Sequence, residues 1–259
     1  MNNQRAYNIF GNIAVVNFAF GTKPSKKKKF ANQILKQNPA IKTILEKSGK
    51  FKGRLRKMQT KHLAGEKNKE VLHKENNCVF RFNTDTTYFS PRLSNERKKI
   101  ALKIKKNENV LVMFAGVAPF SIVIAKNSKA KKVFSNEINR EANKYAQLNI
   151  DLNKVKNKVE LLPGDIKKIS KKIKGKFEVI VMPRPQLKDT FLREAFKLSK
   201  KSTRIFYYDF CEVGEEKKII EKIKQEAKKS RKKIKILNIR KAGEIAPYKI
   251  RLRIDFKIL

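Results

Sequence analysis

The stretch from residue 109 to residue 126 constrains the fold of this chain more than any other. It combines an apolar strand-like run, a tight turn that contains Gly116, and an apolar helix-like run. Glu137 follows the turn by roughly the 20 residues at which a second strand presents an acid to a nucleoside hydroxyl. Gly164 and Asp165 close a third strand-like run. This order predicts a nucleoside site on a doubly wound α/β sheet.

The turn at Gly116 also limits which cofactor can bind. It lacks the GxGxxG pattern with which such turns hold a pyrophosphate. A cofactor that carries a nucleoside but no phosphate suits the turn better. We therefore predict S-adenosylmethionine as the cofactor.

The second part of the chain alternates strand-like and helix-like runs at βαβ spacing. The predicted strands are residues 110–114, 133–136, 159–162, 179–182 and 204–208, and the predicted helices include 140–148, 188–198 and 215–230. Residues 234–240 and 248–256 form a closing antiparallel pair. The predicted fold class is α/β, a Rossmann-like sheet with antiparallel final strands, as in class I methyltransferases.

Residues 1–85 are predicted to form a separate small α/β domain that binds RNA. Its predicted elements are a strand at 7–18 broken by Gly11, a helix at 30–38, and strands at 41–45, 50–59, 71–74 and 79–82. Residues 86–259 are predicted to form the second domain, which begins with a linker helix. Ser94 or Asn95 can cap that helix, and it is expected to end at Ile104.

The charge of the chain favours a polyanionic partner. It has 64 Lys and Arg against 23 Asp and Glu, a formal net charge of +41. Such a field attracts nucleic acid and makes the encounter sensitive to salt. A bias toward lysine across the whole proteome is the competing explanation. The run of lysines at 26–29 is either a phosphate contact or, more simply, a solvated helix start.

Several other classes of protein are disfavoured by composition. No apolar run has membrane-spanning length, and the first residues lack the order of a signal peptide. Cys78 and Cys211 stand apart from each other, so we expect reduced thiols in a cytoplasmic protein. The two histidines, His62 and His73, form no metal-ligand cluster, and we expect no metal site.

A family resemblance rests on several motifs in one order. The motifs are YFSPRLSNERKKI, VLVMFAGVAPFSIVIAK, NEIN, the Gly164-Asp165 pair and MPRP, with HLAGE in the small domain. In their order and spacing the chain resembles the archaeal and eukaryotic tRNA guanine-37 N1-methyltransferases, which include enzymes of wyosine synthesis. The resemblance covers nearly the whole chain. It implies methyl transfer to N1 of guanosine 37, with the anticodon stem-loop of tRNA as partner and a monomeric enzyme.

The resemblance also assigns the residues that act on the base. Removal of the N1 proton calls for a general base, and negative charge gathers on O6, where a cation helps. Glu96 occupies the family's base position, whereas by itself it would be an ordinary acid in the first turn of a helix. Arg56, or Arg54 if the register differs, matches the arginine that faces O6; a phosphate contact or a solvated cation is the alternative. Arg92 is expected to hold the loop or a phosphate.

The cofactor residues follow from the same resemblance. Glu137 would accept the ribose hydroxyls, and Asp165 the adenine amino group. The other implied contacts are Tyr88, Arg97, Phe114, Ile138, Ile166 and Pro183. Phe89 either lines the pocket or serves the packing.

Three departures from the family pattern bear on activity. Val112 stands where the first strand usually has an acid, Ala118 where glycine is common, and Pro183 belongs to a motif that keeps an asparagine in some members. The absence of that asparagine makes methylation of C7 of the tricyclic wyosine precursor, 4-demethylwyosine, a second predicted activity. The chain also begins directly at the small domain, without the additional module of many relatives. The alternatives are an aminocarboxypropyl transferase and a non-catalytic RNA-binding protein.

Overall fold

The computed structural model describes residues 7–49, 53, 55, 58–184, 187 and 189–259. The first elements form a four-stranded sheet in the order β1-β2-β3-β4. Its strands are β1 (Tyr7–Phe10), β2 (Ile13–Val16), β3 (Thr43–Lys47) and β4 (Thr60–Gly65). The strand predicted at 7–18 is thus a hairpin, because Gly11 turns the chain with a positive φ of 52°. Most of the strand predicted at 50–59 lies outside the described residues.

Helix α1 (Pro24–Gln37) packs against this sheet. It begins six residues before the predicted start at residue 30, because Pro24 occupies the first helical turn, where its fixed φ suits a helix and its missing N–H costs nothing. The lysines at 26–29 therefore lie in the first turns of the helix. Lys27 forms an ion pair with Glu46 at 2.6 Å.

A separate hairpin, β5 (Glu70–Glu75) and β6 (Cys78–Asn83), joins the two sheets. Its side chains Val71, Phe80 and Phe82 belong to the same core as the large sheet. Hydrogen bonds from the backbone of β6 to two asparagines of helix α4 (Arg140–Leu152) and its C-terminus reinforce this packing. The same core also contains Phe10, Ile13 and Val15 of the small sheet, and the domain boundary at residue 85 stays a prediction.

The large sheet has seven strands in the order β12-β13-β11-β10-β7-β8-β9. They are β7 (Asn109–Met113), β8 (Lys132–Glu137), β9 (Val159–Pro163), β10 (Phe177–Met182), β11 (Ser199–Glu212), β12 (Ile234–Ala246) and β13 (Lys249–Ile258). Strands β7 to β11 pair in parallel, and β13 pairs antiparallel with both β11 and β12. This confirms the predicted sheet with its antiparallel end.

Helices cover both faces of the large sheet. A short 3-10 turn (Pro91–Leu93) leads into α2 (Ser94–Ala101), and the others are α3 (Pro119–Asn127), α5 (Ile166–Lys172), α6 (Leu192–Lys197) and α7 (Glu216–Lys229). Helix α2 ends three residues earlier than predicted, and neither predicted cap makes a side-chain capping bond. Helix α6 is shorter than the predicted 188–198, since Asp189 and Thr190 accept backbone N–H groups in the preceding loop.

Candidate cofactor and substrate cavities

A cavity opens where the parallel strands β7, β8, β9 and β10 end. All predicted cofactor residues except Arg97 line it, namely Tyr88, Phe114, Glu137, Ile138, Asp165, Ile166 and Pro183. The other lining residues include Gly116, Asn136, Asn139, Arg184, Phe191, Tyr208, Phe210 and Arg251. The carboxyl ends of parallel strands form the usual ligand crevice of such sheets. The predicted residues, widely spaced in sequence, meet around one space.

The turn between β7 and α3 brings backbone close to this space. Phe114, Gly116 and Ala118 all have a positive φ, of 59°, 58° and 65°. A Cβ on Gly116 would lie 3.2 Å from the carbonyl oxygen of Tyr88. A side chain at this position would crowd the Tyr88 carbonyl, and the positive φ also disfavours a Cβ. Glycine avoids both problems. Ala118 adopts the left-handed conformation in spite of its Cβ, at a modest cost in conformational energy.

Glu137 lies at the end of β8, with its carboxylate held by backbone groups. Oε2 accepts from the N–H of Gly116 and Oε1 from the N–H of Asn139, each at 2.8 Å. Loss of solvent around the carboxyl raises its pKa, although these backbone donors act in the opposite direction. The carboxylate tethers the turn and faces the cavity, where a ligand hydroxyl can also donate to it.

Asp165 marks the end of β9 in the same wall. Its side chain caps α5 by accepting from the N–H of Lys167 at 3.0 Å. Asn136 belongs to the NEIN motif but was not among the predicted site residues. It connects this strand end to β8. Its side-chain amide donates to the carbonyls of Leu162 and Gly164 at 2.7 and 3.0 Å. These bonds set the spacing between the two acidic strand ends.

Pro183 and Arg184 follow β10. Pro183 lines the cavity as predicted for the MPRP motif, whereas Pro185 lies outside the described residues. Arg184 is 4% exposed and donates to the hydroxyl of Tyr207 at 3.1 Å and to Asp209 at 3.0 Å. It also donates to the carbonyl of Leu187. These contacts make Arg184 the structural anchor of the loop after Pro183, a role that sequence reasoning missed.

Arg97 is the one predicted cofactor residue that does not line the cavity, and its contact with the cofactor stays a prediction. Its side chain is 1% exposed, and its guanidinium grips both carboxylate oxygens of Glu75, at 2.6 Å for Nη2. Nη2 also donates to the carbonyl of Ser90 at 2.9 Å. Through these bonds Arg97 fixes the loop that carries Tyr88.

Glu75 shows the electrostatic consequence of that pairing. Burial alone would raise its pKa, but hydrogen bonds from His73 and Arg97 hold the pKa below its usual value. The loop after β6 is packed as well: Phe89 is 6% exposed and stacks on Phe82 with 4.6 Å between ring centroids. The cavity wall at Tyr88 thus rests on a well-packed base.

Glu96 lies directly behind the cavity wall. Its side chain is 5% exposed, and Oε2 accepts from Arg253 at 2.7 Å and from the Tyr208 hydroxyl at 3.1 Å. Tyr208 lines the cavity, so a single side chain separates Glu96 from it. Burial, and next the charge of Glu96, raise the pKa of Tyr208 well above its usual value. The phenol therefore keeps its proton and donates a hydrogen bond to Glu96. The role of Glu96 as a base stays a prediction.

A second chamber of about 480 Å³ adjoins the cofactor cavity. The two spaces share Tyr88, Phe210 and Arg251. The second is lined further by residues of both domains, among them Phe10, Val15, Lys47, Met58, Phe89, Arg92 and Ile245. Arg92 donates to the side chain of Asn8 at 2.9 Å, which links the 3-10 turn before α2 to the small domain. Arg56 and Arg54, the predicted O6 cation and its alternative, lie outside the described residues.

Two family matches together span most of the chain. The family described as TRM5/TYW2 methyltransferase domain matches residues 71–237. The chain belongs to this family. A second match, described as TYW2 N-terminal domain, covers residues 2–68. The TRM5/TYW2 match begins in β5, in agreement with the packing of the β5–β6 hairpin on the large sheet.

Relatives in the TRM5/TYW2 family resemble the chain over nearly its full length. The tRNA (guanine(37)-N(1))-methyltransferase Trm5b of Pyrococcus abyssi is 35% identical over 258 residues, which cover 98% of this chain and 74% of that protein. The tRNA (guanine(37)-N(1))/4-demethylwyosine(37)-methyltransferase Taw22 of Nanoarchaeum equitans is 30% identical, over 98% of this chain and 100% of that protein.

Solved structures of the TRM5/TYW2 family share the fold. The complex of aTrm5 with tRNALeu superposes with a TM-score of 0.84 at 27% identity, over 98% of this chain and 72% of that one. TYW2 of M. jannaschii in complex with AdoMet has a TM-score of 0.73 at 25% identity, over 98% and 99% of the two chains. Among the residues described, no helix is long and apolar enough to cross a membrane. No group of three or more His, Cys, Asp or Glu in this described part could hold a metal ion.

Proposed function

We propose that the protein transfers the methyl group of S-adenosylmethionine to N1 of guanosine 37 in tRNA. The observation that carries this function is the cavity itself. Its wall brings together Glu137, Asp165 and Pro183 from three separate strand ends of a TRM5/TYW2 domain. Relatives named as guanine-37 methyltransferases support the choice of base and atom.

The lining of the cavity suits this cofactor. Two carboxylates, Glu137 and Asp165, offer acceptors for ribose hydroxyls and an adenine amino group, while Ile138 and Ile166 supply apolar surface for a ring. Gly116 leaves the space that a Cβ would fill. When bound, S-adenosylmethionine supplies an electrophilic methyl group on a sulfonium. The protein's own residues then have to orient the base and accept its proton.

Glu96 is our proposed acceptor of the N1 proton. Its carboxyl group accepts from Arg253 at 2.7 Å and from the hydroxyl of Tyr208, a side chain that lines the cavity. Because Tyr208 both donates to Glu96 and faces the cavity, its oxygen can receive the N1 proton while its own proton passes to Glu96. General base catalysis of this kind contributes about 10²- to 10⁴-fold to a rate.

The partner that we propose is the anticodon stem-loop of tRNA, bound by a monomer in the cytoplasm. The net charge of +41 favours phosphate contacts, and the second chamber between the two domains can receive an extruded base. The structural likeness to a Trm5–tRNALeu complex supports this partner. We expect tRNA affinity to fall steeply between 50 and 200 mM salt, as it does for proteins that neutralise several phosphates.

The deciding experiment compares two tRNA transcripts that differ only at position 37, guanosine against adenosine. The protein is incubated with labelled S-adenosylmethionine, and the product nucleoside is mapped. Label confined to guanosine 37, recovered as 1-methylguanosine, is the expected result. Bound cofactor without methyl transfer to either tRNA would contradict the proposal and favour aminocarboxypropyl transfer or binding alone.

Methylation of C7 of 4-demethylwyosine is a second candidate function. Pro183 lines the cavity without a side-chain amide, and the dual-function relative Taw22 matches along its whole length. The test is methyl incorporation into tRNA that already carries the tricyclic base. Label on unmodified guanosine 37 alone would exclude this second activity.

A further inference from the structure

The boundary between the two spaces is the place where methyl donor and target base have to meet. The cofactor cavity and the second chamber share three residues, Tyr88, Phe210 and Arg251. Two are aromatic and one is a cation. A ligand that reaches from one space into the other passes all three.

Strand pairing places Arg251 at this boundary. Arg251 lies directly opposite Phe210 on β11, and its guanidinium lies 5.3 Å from the centre of that ring. On the other side, its partner on β12 is Gly243, which has no side chain, and the strand is irregular on both sides of that position. Arg251 is half-buried. The irregular strand β12 therefore leaves the guanidinium room to face the shared boundary.

A comparison with the other arginine of the cofactor cavity shows which cation is available to a ligand. Arg184 is committed to Tyr207, Asp209 and the carbonyl of Leu187. Arg251 makes no hydrogen bond or ion pair within the described part of the chain, and its recorded contact is with the face of Phe210. A half-buried arginine without an anionic partner, beside a cavity that two ligands must share, has its donors free for one of them.

We propose that Arg251 positions the target base and is a second cation for the charge that develops on its O6, in addition to Arg56, to which the resemblance assigns that role. Phe210 is the ring that holds the Arg251 guanidinium in place. This inference rests on the proposed methyl transfer to guanosine 37. When N1 loses its proton, the negative charge spreads over N1 and O6. The two atoms are separated by a single carbon. A guanidinium at the boundary can therefore donate to O6 while N1 faces the methyl donor.

The direct test is the variant Arg251→Gln, measured by single-turnover methylation of guanosine 37 and by the dissociation constant of S-adenosylmethionine. We expect the rate at saturating tRNA and cofactor to fall about a hundredfold, as when one oxyanion donor is removed, while the cofactor constant changes less than twofold. Arg251→Lys should restore part of the rate because it keeps the charge without the fork of donors. The matched control is Arg193→Gln, a charge loss on an exposed side chain of α6, with the rate unchanged.

An atomic substitution in the tRNA sharpens the assignment. With 6-thioguanosine at position 37, sulfur replaces O6 and accepts hydrogen bonds poorly. The thio substitution should slow the wild-type enzyme, and the thio effect should be smaller in Arg251→Gln, which lacks one of the donors to O6. Thio effects of equal size in both proteins would overturn the contact with O6.

Other outcomes identify other roles. A rise in the cofactor dissociation constant equal to the loss in rate would mean that Arg251 binds the carboxylate of the methyl donor, and this result would overturn the proposal. A weaker affinity for tRNA that does not depend on the base at position 37 would indicate a phosphate contact and would also overturn it. If the wild-type protein does not methylate guanosine 37, the proposed function itself fails. If the wild-type protein does methylate it and only the variants depart from the expected results, the inference about Arg251 fails and the proposed function stands.

Discussion

Glu137 and Glu75 are both poorly solvated carboxylates, but they are held in opposite ways. Glu137 accepts from two backbone N–H groups, of Gly116 and Asn139. Glu75 is gripped by the guanidinium of Arg97 and contacted by His73. Accordingly, the pKa of Glu137 is raised by desolvation, whereas that of Glu75 is lowered by its partners in spite of burial.

Glu75 and Glu137 have different roles because their surroundings differ. The Glu75–Arg97 pair is closed on itself and supports the loop that carries Tyr88. Glu137 has no cationic partner within the described residues and borders a cavity, so a ligand hydroxyl can donate to it without displacing a strong ion pair. Glu96 combines both features, since Arg253 holds it while Tyr208 connects it to the cavity.

The largest expected effect comes from breaking the closed pair. Arg97→Met leaves Glu75 without its guanidinium, and the free energy of unfolding should fall by about 3–5 kcal/mol. Urea denaturation at pH 7 measures it. The matched control is Arg81→Met, whose arginine is 48% exposed beside Glu70 and whose loss should cost about 1 kcal/mol or less. Similar losses of stability in both variants would contradict the prediction that the buried ion pair contributes more than the exposed one.

This first prediction also has a pH dependence. The pKa of Glu75 is lowered in the folded protein, so its contribution to stability is present above the unfolded pKa. That contribution is lost as pH falls through the folded pKa. The stability difference between wild type and Arg97→Met should therefore shrink in acid.

The second prediction separates Glu96 from Glu75. Glu96→Gln should lower kcat about 10²- to 10⁴-fold, because the amide cannot accept a proton from the base, and it should leave the cofactor dissociation constant nearly unchanged. Glu75→Gln removes a comparable buried carboxylate that does not line the cavity and acts on it only through the loop that carries Tyr88. It should lower stability and reduce kcat far less than Glu96→Gln does. Equal losses of turnover and cofactor affinity in Glu96→Gln would make Glu96 structural.

The third prediction concerns the carboxylate that faces the cavity. Glu137→Gln should weaken S-adenosylmethionine binding by about 10- to 150-fold, the equivalent of about 1.5–3 kcal/mol for hydrogen bonds to a charged group. Isothermal titration calorimetry measures this change. Glu141→Gln, which alters an exposed carboxylate on the adjoining helix, serves as the control with unchanged affinity. An unaffected Glu137→Gln would place the ribose elsewhere.

The smallest expected effect is the pH dependence of cofactor binding. Because the pKa of Glu137 is raised, the carboxylate form is lost at a higher pH than for an ordinary glutamate. Affinity should fall as pH decreases through this pKa, by at most tenfold for each pH unit. The stability of the protein without ligand has the opposite pH dependence. Because the pKa of Glu137 is raised in the folded protein, the contribution of Glu137 to stability is present at low pH and is lost as pH rises. Glu137→Gln should abolish both trends.

Sequence reasoning predicted the sheet and the strand ends well, because those features depend on local order. Asn109–Met113, the turn at Gly116, and Glu137 all follow from periodicity and spacing along the chain. The predicted helix at 30–38 begins six residues later than α1, because the apolar residues at helical spacing begin only at Phe30, although a helix start at the lysines 26–29 was the simpler interpretation of that run. The ion pair of Arg97 with Glu75 could not be predicted, because the two residues are 22 positions apart and meet only in the folded chain.

The order of elements and the acids that follow the strands were determined by the sequence alone, since a strand of the right length delivers its next residue to the edge of the sheet. The surroundings of the side chains on each face of β13, by contrast, follow only from the tertiary structure. Its alternation places Ile250, Leu252 and Ile254 on one face, and would by itself leave Arg251 and Arg253 for solvent. Instead, α2 covers that face and pairs Arg253 with Glu96, 157 positions away, while Arg251 remains at the junction of two cavities. Such pairings depend on which elements pack together, and the spacing of residues along one strand carries no record of them.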